Sequence, residues 1–330
     1  TSDWFLSDAF VLDNEAPTVT ITRNEPTLGD KTNYITSDNS VSFTVAFSEA
    51  VTGFDEGDIT INKTGTVTAT DPGTLTGPTG NVYTYTINDV AGDGTIGITV
   101  NKDNFTDLAG NAMADNVVSD VFTIDNTLPT IESFEIPCTD YAKGTLTFSE
   151  VVYSDANATN QITDADLTVT KSVGTATLDS WTVNSTSTVE GKTVAEIGLT
   201  WLGTPNGNEV VSVDVVDVAS VYDQAGNKAL SGSPKTDSPV VPVSISTQPS
   251  AQSICESGTA TFTSEASTAF ASVLWQVSPD GATNWTDLSN GEPYSGVTTQ
   301  TLTITGPGAL YDSYYYRAEY TNDCGEITNS

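Results

Sequence analysis

Residues 8–19 of the chain, DAFVLDNEAPTV, return at residues 120–131 as DVFTIDNTLPTI, an offset of 112 residues. Inside each period two further signatures recur in the same order. Phe47-Ser48-Glu49 returns as Phe148-Ser149-Glu150, and Asp107-Leu108-Ala109-Gly110-Asn111 returns as Asp223-Gln224-Ala225-Gly226-Asn227. A fixed period is the mark of stacked modules. The segments between the signatures alternate apolar and polar residues with period two, as in VSFTVAF at 41–47, VYTYTIN at 82–88, TIGITVN at 95–101, GTLTFSE at 144–150 and VVSVDVVDV at 210–218. Helical periodicity is nearly absent. Short β-branched runs broken by Gly, Asn, Asp and Pro predict antiparallel sandwiches of about 100 residues each.

Composition narrows the chemistry. Among 330 residues there are 43 acidic and 10 basic side chains, a net charge of −33, and no histidine. Ser-His-Asp and Cys-His catalysis, His-ligated zinc and imidazole proton transfer are therefore excluded. Such a charge repels phosphate backbones and anionic membrane surfaces, so neither nucleic acid nor a lipid surface is an expected partner. It attracts hard divalent cations. No apolar run approaches the roughly 18 residues of a membrane-spanning helix, so no membrane insertion is expected in this segment. Charged residues make up only 16% of the chain. Thr, Ser, Asn and Gly must then cover most of the surface, as in extracellular β proteins. Pairs of carboxylates could suggest glycoside hydrolysis, but with 43 acids such pairs arise by chance, and no enzymatic activity is expected.

The predicted organisation is a last strand of a preceding module plus linker at 1–15, then modules at 16–126, 127–241 and 242–330, the third truncated in its last strand. The third follows a Pro-rich junction, SPKTDSPVVPVSISTQPS, and carries Trp275, a tyrosine-rich strand and two cysteines. The first two modules resemble the bacterial Ig-like repeats of very large surface adhesins, through DNxxPT at the junctions, VSFTVAFSEAVTGFDEGDIT and DLAGNA. The third resembles an Ig-like module common in surface proteins of Bacteroidota, through ISTQPSAQSICESGTATFTS, VLWQVSPDGATNWTDLSNG and YYYRAEYTNDCGE. These resemblances imply an all-β fold of tandem immunoglobulin-like β-sandwiches in an extended array. They imply an extracellular or cell-surface location, and for the third module the type IX secretion route common among such proteins.

Placed on a seven-strand sandwich, the acidic signatures converge. Glu49 ends the second strand at the N-terminal pole. The loop holding Asp107 and Asn111 lies at the same pole, and so does the linker with Asp13 and Asn14. The second repeat offers Asp125, Asn126, Glu150, Asp223 and Asn227 in the same way. Asp55 and Asp58 in the first repeat, and Asp164 or Asp166 in the second, could join them. Calcium takes 6–8 oxygen ligands from carboxylates, amides, carbonyls and water. Carboxylates gathered without a cation repel one another. One Ca2+ per junction is the expectation. The competing explanation is ordinary turn chemistry, because Asn and Gly tolerate positive φ and Asp caps turns.

Three cysteines leave one over. An intradomain bridge Cys255–Cys324 is the simple pairing. Register speaks against it: Asp312–Ala318 reads as a tyrosine-corner segment, with Ala318 where the usual cysteine of that strand would sit and Ser264 near the partner position. Cys255 and Cys324 would then lie at opposite poles, roughly 20 Å apart at about 3.3 Å per residue, beyond the ~7 Å Cα limit of a disulfide. Cys138, at the C-terminal pole of the second module, faces the pole that carries Cys324. Two pairings stand open: an inter-domain Cys138–Cys324, leaving Cys255 for another module, or Cys255–Cys324.

The functional expectation is a stalk or repeat region of a secreted or surface adhesin or filament. Its partners are neighbouring modules of the same chain and other copies in a fibre, with strand donation from Asp8–Leu12 as the route. The alternatives are a glycan- or protein-binding module presenting Trp285 and Tyr294, or a non-catalytic spacer of a large secreted enzyme.

Overall fold

The computed structural model describes residues 12–216, 220–281 and 283–330. The strand expected at 1–15 lies, up to residue 11, outside the described residues; 12–15 belong to no strand and are exposed. The described residues form strands and three short 3-10 turns, with no α-helix, and no helix among them is long and apolar enough to cross a membrane. The chain falls into two compact units. One comprises the described residues of Thr1–Thr130, Glu150–Ile162 and Asp217–Leu230; the other comprises Ile131–Ser149, Thr163–Val216 and the described residues of Ser231–Ser330.

The first unit is built on a sandwich. One sheet has the order Val19–Arg23, Ser40–Phe47, Val82–Asn88, Thr74–Thr79. In the other, Gly94–Val100 is central. Ile59–Lys63 pairs along one side of it, and Val117–Val118 and Phe122–Ile124 share the other side. Ser119 fills the gap between those two short strands, its amide and hydroxyl engaging the peptide of Ile98. Alternation becomes burial directly: Ser40–Phe47 reads half-buried, buried, four times over. Phe43, Val45, Tyr85, Ile87, Ile96, Ile98 and Phe122 close the core between the sheets. Phe122 meets Phe43 and Tyr34 edge to face at 5.4 and 5.6 Å.

The second-repeat residues of this unit are held by the 28–37 loop. The amides of Gly29, Asp30 and Ser37 donate to the carbonyls of Ala156, Gln224 and Ala225, and Gln224 Nε2 donates to Asp30 Oδ2. Gly29 has φ +85°, and a Cβ there would lie 2.2 Å from the Ile35 carbonyl and 2.8 Å from that of Ala225. Only glycine allows this approach.

In the second unit, Ile131–Glu135, Lys143–Phe148, Lys192–Leu202 and Thr177–Val189 form one sheet, and Leu167–Ser172, Val210–Val215 and Lys235–Asp237 another. The third module pairs Thr259–Thr263 with Thr301–Thr305, and Ser272–Ser278 with Tyr315–Thr321. Trp275 is fully buried at its centre, opposite Ala318, and its indole N–H donates to the Thr299 carbonyl. The hydroxyl that ties this strand back to the main chain differs from the expected corner. Tyr320, inside the strand, donates to Ser264 O, whereas Tyr316 faces the Tyr294 hydroxyl.

Replacing Phe122 by Ala removes a fully buried ring that meets Phe43 of the opposite sheet and Tyr34 of the turn before Ile35. Urea denaturation should show a loss of about 3–5 kcal/mol; a loss below 1 kcal/mol, on the same estimate, would mean this ring does not close the core.

Candidate metal centre

A two-residue ladder places the acidic signatures. In the first repeat Val51 pairs with Asp107 and Thr52 with Thr106. In the second, Val152 pairs with Asp223 and Tyr153 with Tyr222, in the same register. Each ladder joins the stretch after Phe-Ser-Glu to the start of the Asp-x-Ala-Gly-Asn turn, so Glu49 and Glu150 arrive beside Asp107 and Asp223. The linker completes the set. Carboxylate oxygens of Asp13, Glu49 and Asp107 lie within 4.8 Å of one another, and so do those of Asp125, Glu150 and Asp223. All six residues belong to the first unit.

The turn builds itself around its aspartate. Asp107 Oδ1 accepts the amides of Ala109 and Asn111, and Oδ2 accepts Asn111 Nδ2. Asp223 repeats this with Ala225 and Asn227. The second amide hydrogen of each asparagine reaches a linker carbonyl, Asn111 to Asp13 O at 3.3 Å and Asn227 to Asp125 O at 2.8 Å. Asn111 and Asn227 thus orient the aspartate and hold the linker against the turn. Asp13 and Asp125 each accept the amide two residues on, from Glu15 and Thr127. Of the other expected residues, Asn126 turns to the Asp93 carboxylate and the Gly92 carbonyl, and Asn14 is exposed. Asp55 and Asp58 cap the turn at Glu56–Asp58, and Asp164 and Asp166 sit in the matching turn of the second repeat. None of these four joins either cluster.

Equal hydrogen-bond sets leave the two aspartates with opposite shifts. At Asp107 desolvation raises the pKa, but the hydrogen bonds from Asn111, Ala109 and Gly110 outweigh it and hold the carboxyl below its usual range. Asp223 is more deeply buried and faces Asp125, and its pKa is raised. Glu49 is raised by desolvation and by Asp13, Asp107 and Glu15. Glu150 is pushed up to about 7 by desolvation and then by the charges of Asp223 and Asp125. Among the described residues no hydrogen-bond donor or basic side chain meets the Glu150 carboxylate. Sequence reasoning missed Glu15 and Asp93, whose charges reach Glu49 and Asp125. Glu15 has no acidic counterpart at Thr127, so the repeat carried no signal for it.

Cys138 and Cys324 are bonded, with Cα atoms 5.9 Å apart, and Cys255 is free and exposed. The alternative Cys255–Cys324 pairing is therefore not formed. The turn bearing Cys324 is the acidic turn in another form. Asn322-Asp323-Cys324-Gly325-Glu326 stands where Asp107-Leu108-Ala109-Gly110-Asn111 stands in the first repeat. Asn322 Oδ1 accepts the amides of Cys324 and Glu326, and its Nδ2 reaches the Val241 carbonyl. The neutral asparagine replaces the buried aspartate, its Nδ2 also donating to the Glu326 carboxylate, and this turn carries the disulfide. Trp285 and Tyr294, the aromatics suited to sugar stacking, are engaged within the protein. The Arg317 guanidinium lies 4.2 Å from the Trp285 ring, and Tyr294 packs on Tyr311 and Tyr316.

Residues 13–124 match the family described as a bacterial Ig-like domain, and residues 244–330 match a domain family of unknown function. No curated protein matches the chain in sequence. Among solved structures it is similar to FdeC, an Escherichia coli adhesin, at 15% identity, covering 96% of each chain with a TM-score of 0.39. It is similar to invasin, a bacterial integrin-binding protein, at 14% identity, covering 94% of this chain and 58% of that one, also at 0.39. InvD of Yersinia pseudotuberculosis is similar at 12% identity, over 90% and 93% of the two chains, with a TM-score of 0.31. Likenesses this loose carry no receptor or assembly over to this chain. The fold class is all-β, with immunoglobulin-like sandwiches in tandem.

The disulfide spans a sequence separation of 186 residues, and closing so long a loop restricts the unfolded chain strongly. Cys138→Ser should lower stability by about 2–5 kcal/mol in denaturant titration. An equal loss on adding reductant to the parent chain identifies the bond as the cause; an unchanged midpoint in both would show that it contributes nothing.

Proposed function

We propose that the chain is a non-catalytic stalk segment of a secreted or surface-exposed bacterial adhesin or filament. Ca2+ held by Asp13, Glu49 and Asp107, and by Asp125, Glu150 and Asp223, stiffens its repeat boundaries, and the Cys138–Cys324 bond does the same work covalently. One observation carries this reading: the same three-carboxylate cluster is built twice, from linker, strand end and turn, in the same register.

The donor set suits a hard cation. It is all oxygen, and Asp107 Oδ2 and Asp223 Oδ2 each keep a lone pair after the asparagine bond. Linker carbonyls and water would complete the 6–8 ligands calcium takes. Turn chemistry alone accounts for Asp107 and Asp223 but not for Glu49 and Glu150, which meet no hydrogen-bond donor among the described residues and sit among like charges. A divalent ion reverses that cost. A stalk needs its boundaries fixed, and each cluster ties a linker to both a strand end and a turn. The match of residues 13–124 to a bacterial Ig-like domain and the heavy negative charge support a place outside the cell, where Ca2+ is abundant and mutual repulsion keeps chains apart.

The titration of Glu150 gives the test its sign. Its carboxyl binds a proton more tightly folded than unfolded, between the ordinary 4.5 and about 7, so without metal the stability of the first unit falls as pH rises through that window. Calcium competes with the proton and cancels the slope. In EDTA, the melting temperature should drop from pH 5 to pH 8. Saturating Ca2+, at about 100 Kd, should restore about 2.7 kcal/mol per site at pH 8 and less at pH 5. Glu150→Gln should raise stability in EDTA and abolish the response of its cluster. Calorimetry with no Ca2+ heat at pH 8, together with melting curves unmoved by EDTA, would defeat the metal reading.

A further inference from the structure

All three arms of the second carboxylate cluster are held by one short stretch, residues 29–37. The Gly29 amide donates to the carbonyl of Ala156, on the segment that follows Glu150. The Asp30 and Ser37 amides donate to the carbonyls of Gln224 and Ala225, inside the turn that Asp223 closes, and the Ser37 hydroxyl adds a second bond to Ala225. The Thr36 carbonyl accepts the amide of Asp125 itself, just past the parallel pairing of Thr123 and Ile124 with Ile35 and Thr36. Linker, strand end and turn lie far apart in sequence and meet on this loop.

The placement matters because the carboxylates of Asp125, Glu150 and Asp223 repel one another. Arms without a brace would relax apart, and a cation would have to gather them as it bound. Ordering of that kind subtracts from affinity. The bonds to Ala156, Gln224, Ala225 and Asp125 engage main-chain groups, so they form without a cation and leave the three carboxylates free to face one. The fit is close. A Cβ on Gly226 would lie 3.0 Å from the Ala156 carbonyl oxygen and 3.1 Å from the Gly29 nitrogen. The first cluster is built differently. The bonds that place Asp107 and Asn111 come from their own turn and from Asp13, none from residues 29–37.

We propose that residues 29–37 are a latch that governs cation binding at Asp125, Glu150 and Asp223. The inference rests on the metal reading and goes beyond it, because it names what sets the affinity of one cluster and leaves the other alone. Docked, the latch holds the three arms together before the cation arrives. Undocked, the arms separate and affinity falls. Residues 29–37 are thus positioning residues; their bonds reach the main chain around the ligands, and no carboxylate of the cluster is among their partners. Linkage makes the effect reciprocal. The factor by which the docked latch raises affinity for the cation is the factor by which the bound cation favours docking. Ca2+ therefore tightens the grip of the first module on the turn and strand end of the second.

The test uses the full chain in two backgrounds. Glu49→Gln leaves only the second cluster complete, and Glu150→Gln leaves only the first. Gly29→Ala sets a Cβ against the carbonyls of Ile35 and Ala225. Calorimetry should show that it raises the Kd for Ca2+ about tenfold in the Glu49→Gln background, an ordinary size for coupling between sites, and leaves the Kd unchanged in the Glu150→Gln background. Gln224→Leu is the milder variant. It removes the side-chain bond to Asp30 and matches Leu108 of the first repeat, and it should shift the Kd of the second cluster in the same direction. In the parent chain, saturating Ca2+ should slow hydrogen exchange at the Gly29, Asp30 and Ser37 amides, again about tenfold by the same linkage. An absence of Ca2+ heat in the parent chain overturns the metal reading and the latch with it. Ca2+ binding at the second cluster that neither substitution weakens overturns the latch alone, and so does exchange at those amides that Ca2+ leaves unchanged. Equal weakening of both clusters by Gly29→Ala also overturns it, since the cause would then be general destabilisation.

Discussion

Everything at the repeat boundary depends on one aspartate taking up the amides of its own turn. Asp107 and Asp223 accept the amides two and four residues on, which closes the loop into a fixed shape with its side chain buried. The asparagine at the end of the motif then bonds both to that aspartate and to the linker carbonyl. A local hydrogen-bond preference of Asp thereby becomes a long-range tie between parts of the chain about 100 residues apart in sequence. The ladder of two residues beside it delivers the glutamate. Three carboxylates come together because the backbone around each is independently satisfied.

The third module shows the same turn with a neutral residue at its buried position. Asn322 has the geometry of Asp107 but is neutral, and its second amide partner is again a linker carbonyl, that of Val241. The same Nδ2 also donates to the Glu326 carboxylate, and the turn is linked covalently through Cys324 to Cys138. One form of turn thus meets what precedes it in two ways. In each the turn is tied to the preceding linker by an amide-to-carbonyl bond, and in the third module a disulfide is added.

Much of this was legible in the sequence, for a physical reason. A strand's period is two, so VSFTVAF and VYTYTIN announce which side is buried before any partner is known, and Phe43, Val45, Tyr85 and Ile87 fill the core as that pattern requires. The offset of 112 residues named the equivalent positions. Asp13, Glu49 and Asp107 could be grouped because the poles of a sandwich follow from strand order alone. The roles of Asn14, Asn111 and Asn126 could not, because an amide can donate or accept, and which it does depends on neighbours fixed only by the fold. The 28–37 loop was equally silent. Its bonds to Ala156, Gln224 and Ala225 run between main-chain groups, and main-chain groups leave no trace in residue identity beyond the glycine at position 29.

Sequence by itself determined the all-β class, the repeat, the exclusion of histidine chemistry and the residues from which an oxygen-ligand site can be drawn. These follow from composition and periodicity, which need no third dimension. Tertiary structure alone decided that Cys138 meets Cys324 while Cys255 stays free, and that Glu150 is desolvated beside Asp125 and Asp223. Each of these depends on distances between residues remote in the chain. Such distances are set by how whole sheets pack, a property of many residues together and of no single motif.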